Sequence, residues 1–384
     1  MDDPIEYYGK CEECKQENTG DKYCKACNVK HFQQNFKNWT SGNNDIDKFI
    51  QDTQLTANFY DQVLEWIPYD KLYNINYISK DGFGKVYRAK WIDGYINRWD
   101  NINENWERFN SNGFVTLKSL NNSENVTLEF INEIIMHLKT RMPGKNLIVR
   151  VYGITQDPEA KNYMMVLSYA ENGSLRNDLD RNYYELTWEA KLKYLLHITL
   201  GLQSIHENEL IHRDLHIGNI LSFGNKSFEN QVMVTGMGLC KPAILENTKN
   251  SIYGVLPYVA PEVLRGQNYT KAADIYSFGI IICLDANPLN RPTANEVQKV
   301  LRQWIYGTYD DRSEIEKQIK EAEEFSNSLP TSSVSYETHP EAIYISRLLN
   351  FNNLPEPKNS DDYYDEQNDN IISEKSSVSF SIGN

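Results

Sequence analysis

The chain has 384 residues, of which 40% are hydrophobic and 12% aromatic, enough for one large globular core or two with further segments attached. Its net charge of -14 disfavours non-specific binding to nucleic acid or to an anionic membrane, because a phosphate surface would repel it. The sequence lacks a signal-peptide pattern and an apolar run long enough to span a bilayer. We therefore expect a cytoplasmic protein that has neither nucleic acid nor a membrane as a partner.

Four of the six cysteines lie near the N-terminus in two CxxC pairs, namely Cys11, Cys14, Cys24 and Cys27. Each CxxC turn presents two thiolates, and two such turns complete a tetrahedral zinc site. The spacing predicts a small zinc-ribbon-like bead that needs Zn2+ to fold. Disulfides and redox use of one CxxC pair are the alternatives, and a cytosolic location disfavours the first. His31 is a weaker candidate ligand.

Two helical pieces are predicted after the bead. Ile46, Phe49 and Ile50 recur at helical spacing and predict a short amphipathic helix. A second helical piece is predicted over residues 63–66, and Pro68 would end it. From Tyr77 onwards the pattern changes to strands.

The most informative stretch runs from Ile211 to Leu221 and reads Ile-His-Arg-Asp-Leu-His-Ile-Gly-Asn-Ile-Leu. Phosphoryl transfer needs a carboxylate that orients the attacking hydroxyl and a nearby carbonyl oxygen that holds a metal on the phosphates. Asp214 fits the first requirement and Asn219 the second. A polar turn between a helix and a strand is the alternative, but it would not require the whole string.

Further strings flank this stretch on both sides. They are Ile78–Tyr87, Val115–Leu120, Ala260-Pro261-Glu262, Asp274–Gly279 and Asn290–Thr293. In combination they resemble the eukaryotic protein kinases, in their tyrosine-kinase-like branch, over about Trp66 to Trp304. The CxxC bead, the Trp-Ile-Pro-Tyr string and the acidic tail also resemble an expanded fungal kinase-like family.

The resemblance implies an α+β protein with a bilobal protein-kinase-like fold, comprising a β-rich N-lobe and a mainly helical C-lobe. The C-lobe is expected to be shortened, because Arg291 follows Asp274 more closely than the family pattern requires. The predicted organisation is a zinc-binding bead at 1–35, a helical linker at 36–65, a kinase-like domain at 66–305, and a helix plus an acidic disordered tail at 306–384.

An ATP site is also implied. Lys118 would contact the α- and β-phosphates while Glu133, on the following helix, holds it in place. A glycine-rich hairpin and a hinge would hold the rest of the nucleotide. Their residues are Ile78, Ser79, Gly82, Gly84, Val86, Leu167, Tyr169 and Ala170. Of the three family glycines, only the last, Gly84, is in place.

Other positions would support the site from behind. The resemblance implies that Asp274 holds the backbone of the catalytic loop around His212 and Arg213, and that Glu262 pairs with Arg291.

The main departure from the family is Gly236, which stands where the Asp of D-F-G would bind the principal Mg2+. The Mg2+ site is therefore expected to be impaired, with Asn219 as the remaining family-standard ligand. Losing such a charge-stabilising group costs about 100- to 1,000-fold in rate. An Asp at position 236 is expected to raise Mg2+-dependent ATP affinity. His216 replaces the Lys usual in serine/threonine kinases, which leaves the hydroxyl specificity open.

These features predict a signalling protein with a protein kinase domain that binds ATP and has weak or lost protein phosphotransfer. One alternative is an active Ser/Thr or Tyr kinase with non-standard metal ligands, and another is a small-molecule phosphotransferase. The partners expected are ATP and a protein substrate or signalling partner. In the tail we predict a helix from Ser313 to Phe325, and Leu348, Leu349 and Phe351 read as a solvated linker rather than a docking motif.

Overall fold

The fold is taken from a computed structural model of the chain. The structure describes residues 8–80, 84–120, 127–142, 144–183, 185–224, 231–243, 252–280, 291–306, 317–321, 343, 345–351 and 354. Within this part of the chain, every helix is too short or too polar to cross a membrane.

The N-terminal region carries two helices. Helix α1 (Lys25–Asn35) begins directly after Cys24, so the second CxxC pair lies at its N-terminal end. Helix α2 (Asn44–Thr56) is capped by Asn43, whose Oδ1 accepts the Asp45 N–H at 2.9 Å. The predicted amphipathic helix is confirmed, since Ile46 and Ile50 are fully buried.

The N-lobe is built on one six-stranded sheet in the order β1-β7-β8-β6-β3-β2. The first eight strands are β1 (Glu65–Trp66), β2 (Leu72–Lys80), β3 (Gly84–Trp91), β4 (Tyr95–Asp100), β5 (Asn105–Phe109), β6 (Gly113–Leu120), β7 (Val151–Gln156) and β8 (Tyr163–Ser168). Helix α3 (Leu128–Lys139) packs its apolar face, Phe130 and Ile134, into the same buried cluster as Ile46 and Ile50. The predicted linker helix α2 is thus part of the N-lobe core.

The prediction of a helix over residues 63–66 is wrong. Glu65 and Trp66 form β1, which pairs in parallel with Gly153 and Ile154 of β7. The approach is so close that a Cβ at position 153 would lie 2.0 Å from the Glu65 carbonyl oxygen. Gly153 therefore permits the pairing, and the backbone hydrogen bonds of the sheet outweigh the weak helical spacing of a few apolar residues.

Strands β4 and β5 form an antiparallel hairpin that packs on the bead. The His31 ring of α1 stacks on Trp99 with centroids 3.8 Å apart, and the Phe32 ring stacks on Trp106 at 4.4 Å. Aromatic pairs of this kind add about 0.5–1.5 kcal/mol beyond the area they bury. The bead and the N-lobe are therefore joined by packed rings as well as by the chain.

The C-lobe is mainly helical. Its helices are α4 (Leu175–Asn182), α5 (Trp188–Glu207), α6 (Pro261–Leu264), α7 (Lys271–Gly279) and α8 (Ala294–Tyr306). Three antiparallel two-stranded ladders accompany them: β9 (Leu210–Ile211) with β12 (Lys241–Pro242), β10 (Ile220–Phe223) with β11 (Gln231–Val234), and β13 (Ile252–Gly254) with β14 (Arg347–Leu349). Helix α5 leads into the loop around Asp214, and its Leu202 and Ile205 are fully buried.

The end of α7 is less exposed than a shortened C-lobe would suggest. Phe278 is fully buried in the C-lobe core together with Ala294 of α8, whereas Ile280 is 42% exposed. The residues between Ile280 and Arg291, where the shortening is expected, lie outside the described residues.

The described part of the predicted tail helix, residues 317–321, is helical. The interpretation of Leu348 and Leu349 as a solvated linker is wrong, because both residues belong to β14 and Leu349 is buried.

Candidate active site

The stretch with Asp214 and Asn219 forms a loop between β9 and β10, at the junction of the C-lobe ladders. Asp214 is 5% exposed. The Asn219 Nδ2 donates to the Asp214 carbonyl oxygen at 2.8 Å and to its Oδ2 at 3.1 Å. The structure therefore brings together the two residues that the sequence paired for phosphoryl transfer.

Asp274 of α7 holds this loop from below. Its Oδ2 accepts the His212 N–H at 2.8 Å and the His206 Nε2–H at 2.9 Å, and its Oδ1 accepts the Arg213 N–H at 2.9 Å. Arg213 has φ of +70°, a left-handed conformation that costs a non-glycine residue about 1–2 kcal/mol. The charge-assisted bonds to Asp274 offset that cost, as the predicted supporting role requires.

Two buried histidines in the loop are neutral. His212 Nε2 donates to the Thr235 carbonyl at 2.8 Å, while its Nδ1 accepts the Asp214 N–H at 3.2 Å. Burial lowers the pKa of His212. Burial, with a smaller effect of His212, lowers the pKa of His216 to about 4. His216 Nε2 lies 3.8 Å from Asp214 Oδ1, so this neutral ring forms no ion pair at pH 7.

Lys118 on β6 and Glu133 on α3 form the predicted ion pair, with Nζ 2.9 Å from Oε1. Both residues are buried. Glu133 faces inward because it shares the buried side of α3 with Phe130 and Ile134. A buried ion pair stabilises little by itself, so its main effect is to fix the position of the ammonium group.

Some of the other residues predicted to bind the nucleotide lie next to Lys118, and others do not. Val86 lies opposite Lys118 in the β3–β6 register, and Leu167 pairs with Thr116 on the other side of β6. Leu167 and Ala170 are buried, and the Tyr169 ring packs 5.5 Å from Phe114. In the hairpin that corresponds to the glycine-rich loop, Ile78 is 49% exposed and Ser79 is exposed, while Gly84 is buried. Gly82 lies outside the described residues.

Gly236 adopts φ of +79°, and its neighbour is Asn219. A Cβ built at position 236 would lie 2.5 Å from the Asn219 Cγ. An Asp at this position would have to adopt a left-handed backbone and displace Asn219, which itself binds Asp214. The sequence expectation that this substitution simply improves a metal site therefore has a geometric obstacle.

Glu262 of α6 and Arg291 form the predicted second pair. The Arg291 Nη1 and Nη2 donate to the two Glu262 carboxylate oxygens at 2.7 and 2.9 Å. Such a two-point contact is specific to a guanidinium and a carboxylate. It fastens the start of α6 to the segment that precedes α8.

The four N-terminal cysteines also converge, with all four sulfurs within 4.8 Å of one another. Two of the distances are 3.8 Å, for Cys11 to Cys27, and 3.6 Å, for Cys14 to Cys24. A tetrahedral zinc centre with Zn–S bonds of about 2.3 Å would place its sulfurs about 3.8 Å apart. The donor set therefore fits zinc. His31 binds Glu13 at 2.9 Å and lies outside this group.

A partly buried charge cluster near the end of α3 was not predicted from the sequence. Asp61 bonds Arg141 at 2.8 Å and Arg150 at 3.0 Å, and Arg141 also donates to the Ile148 carbonyl at 2.7 Å. Burial raises the pKa of Asp61, but the two arginines more than reverse this and leave it below its usual value. No motif marks these residues, since their partners are distant in the chain.

Comparison with known proteins defines the class. Residues 107–338 match the family model of the protein kinase domain, and the chain belongs to that family. The β-sheet N-lobe and the helical C-lobe fit its bilobal fold. Kinase domains in general use ATP, Mg2+ and protein substrates.

Several curated relatives carry the same domain. A probable serine/threonine-protein kinase of Dictyostelium discoideum is 29% identical over 222 residues, which are 57% of this chain and 11% of the relative. A probable LRR receptor-like serine/threonine-protein kinase of Arabidopsis thaliana is 29% identical over 255 residues, 63% of this chain and 22% of the relative. Cysteine-rich receptor-like protein kinase 6 of Oryza sativa subsp. japonica is 31% identical over 215 residues, 53% of this chain and 27% of the relative. The chain thus spans about a quarter or less of their lengths.

We expect Asp274→Asn to lower the free energy of unfolding by about 3 kcal/mol, because an amide cannot accept all three buried donors and leaves at least one unpaired. Urea denaturation of the purified chain measures this. Asp180→Asn is the matched control, since Asp180 is exposed and pairs with Arg176 one turn away on α4. That change should cost only about 0.3–0.5 kcal/mol. Equal losses for the two variants would contradict the anchoring role.

We also expect the protein to lose stability as the pH falls from about 6.5 towards 4. The unfolded state then binds protons that buried His216, with its pKa of about 4, does not take up. His216→Asn should flatten the curve by up to roughly 3 kcal/mol in this window. The Asn side chain can still accept the Gly218 N–H, which His216 Nδ1 accepts at 3.1 Å. Parallel curves for the two proteins, measured by urea unfolding at each pH, would exclude His216 as a source of the slope.

Proposed function

We propose that this chain is a signalling protein whose kinase domain binds ATP and transfers phosphate to protein weakly or not at all. The observation that carries the proposal is the environment of Gly236. The residue supplies no carboxylate beside Asp214, and Asn219 occupies the space into which a side chain would project. The same domain retains the Lys118–Glu133 pair at 2.9 Å.

Nucleotide binding is supported by the groups around Lys118. The ammonium group is fixed by Glu133, and the neighbouring strands present Val86 and Leu167. These residues offer a cation for the α- and β-phosphates and apolar surface for adenine. None of these contacts depends on a divalent metal.

Weak transfer is supported by the charge that the transition state would develop. Asp214 can orient a hydroxyl, and Asn219 can offer an amide oxygen to Mg2+. Without a carboxylate at position 236, a bound Mg2+ would lack its principal anionic ligand, so the charge that develops on the transferred phosphate would be poorly neutralised. Mg2+ would be held, if at all, through Asn219 and the phosphates themselves.

The alternative is an active kinase with non-standard metal ligands. It is favoured by the loop around Asp214, whose backbone is anchored by Asp274 through two hydrogen bonds. We assign the domain to the tyrosine-kinase-like branch on its sequence strings. Relatives from Dictyostelium and Arabidopsis are named serine/threonine kinases, so serine or threonine is the acceptor that we propose for any residual transfer.

We expect ATP to raise the melting temperature of the protein to a similar extent with Mg2+ and with EDTA, because the contacts to adenine and to the α- and β-phosphates do not need the metal. Lys118→Met should remove most of the shift under both conditions. Lys139→Met is the control, since Lys139 lies exposed at the end of α3. Thermal shift and calorimetry with ATP provide the measurement.

Strong Mg2+-dependent phosphorylation of a generic protein substrate that is abolished by Asp214→Asn would establish the active-kinase alternative.

We further propose that Cys11, Cys14, Cys24 and Cys27 bind one structural Zn2+. The support is the near-tetrahedral spacing of their sulfurs and the packing of the bead against the β4–β5 hairpin. A bead of this size has too small a hydrophobic core to be stable by itself. When bound, the metal would stabilise it by cross-linking the two CxxC turns.

One zinc per chain is the expected result of elemental analysis. Cys11→Ser combined with Cys24→Ser should abolish it and lower the melting temperature of the N-lobe, because the bead then no longer supports the hairpin. Cys240→Ser is the control, since this buried cysteine lies outside the cluster. An unchanged zinc content in the double variant would refute the assignment.

A further inference from the structure

The segment that leads to α6 carries a short strand, β13, and its partner comes from the far C-terminal part of the chain. Ile252, Tyr253 and Gly254 pair with Leu349, Leu348 and Arg347 in antiparallel register. In the described part of the chain, β14 is the strand that covers this edge of β13. The unpaired edge of a strand is a ready template for another extended segment.

One side chain anchors the tail strand. Leu349 is 6% exposed and packs in a cluster with Val259, Ala260 and Val263, whereas Leu348 is 56% exposed. The cluster is formed by the start of α6, the residues that lead into it and Ala273 of α7. The recognition is therefore main-chain pairing plus a single apolar pocket, as when a peptide is added to a sheet edge.

The position of this ladder relates it to Asp214. A Cβ built on Gly254 would lie 3.9 Å from Asp214 Oδ1, and Gly254 is the residue that faces Arg347. Ser346, which directly precedes Arg347, is 8% exposed. A general base must come within hydrogen-bond distance of the hydroxyl that it orients. An extended peptide that pairs with β13 would therefore pass close to Asp214.

We propose that the edge of β13 together with the Leu349 pocket is a peptide-docking site, and that residues 346–349 are its intramolecular occupant. A protein partner or substrate reaches the site with an extended segment that carries an apolar side chain at the Leu349 position, and it must displace the tail. The proposal rests on the β13–β14 contacts and does not require phosphate transfer, so it survives if the domain is catalytically inactive.

Residues 346–349 have an advantage over a separate partner because they belong to the same chain as the docking site. A segment held by its own chain acts at an effective concentration of about 1 mM, so even weak pairing keeps the site filled. A partner at micromolar concentration with the same contacts would not displace it. Access to the site therefore depends on releasing Leu349.

Binding of a labelled peptide with the sequence of residues 345–351 to the full chain tests the proposal by fluorescence anisotropy. The wild-type chain should bind it poorly, because the site is filled. Leu349→Asp, which releases the tail and leaves the pocket intact, should bind it about ten-fold more tightly or better. Leu348→Asp adds the same charge at an exposed position and should behave like the wild type. Equal affinity of the wild type and Leu349→Asp would overturn the proposal.

Two further measurements complete the test. A peptide with Asp in place of its Leu349 residue should fail to bind the Leu349→Asp chain, and binding that persists would show that the pocket is not the site. Hydrogen exchange is measured on the wild-type chain, so its result does not depend on whether a variant folds. Amides of residues 347–349 should exchange more slowly than in the free peptide, and equal rates would show that the tail strand does not occupy the edge.

Discussion

The buried carboxylate of Asp274 is the contact on which the geometry of the site depends. It lies 1% exposed at the start of α7 and joins three elements, because its partners are the backbone of His212 and Arg213 and the ring of His206 at the end of α5. A charge in this position is stable only when several donors surround it. The unfavourable backbone of Arg213 and the placement of Asp214 just beyond it are both consequences of that arrangement.

The two halves of the proposed phosphate site differ from the kinase pattern to different extents. The Lys118 half has kept its ion pair, its burial and its position between neighbouring strands. On the proposed metal side the difference extends beyond one carboxylate, because Asn219 lies against Gly236 and also donates to Asp214. An Asp introduced at position 236 would therefore need both a left-handed backbone and a displaced Asn219.

Residues in motifs with fixed spacing could be predicted from the sequence. The Lys118–Glu133 and Glu262–Arg291 pairs, the Asp214 and Asn219 neighbours and the four-cysteine cluster all form as their patterns imply. Two other features could not be predicted. Strand β1 depends on a close approach to Gly153, and β14 depends on a pocket that exists only when α6 and α7 are in place. Their stability comes from distant surfaces, whereas local spacing reports only what a segment can do alone.

The parallel pairing of β1 with β7 also bears on how the chain folds. Glu65 cannot pair with Gly153 until Gly153 has been synthesised. The buried side of α2 likewise cannot pack until Phe130 and Ile134 of α3 are present. Contacts so distant in the chain form slowly, because a long loop must close before they contribute any stability. During that interval Ile46 and Ile50 expose an apolar face to other nascent chains. The apolar side of α2 therefore lacks its native cover until residue 134 at least has been synthesised.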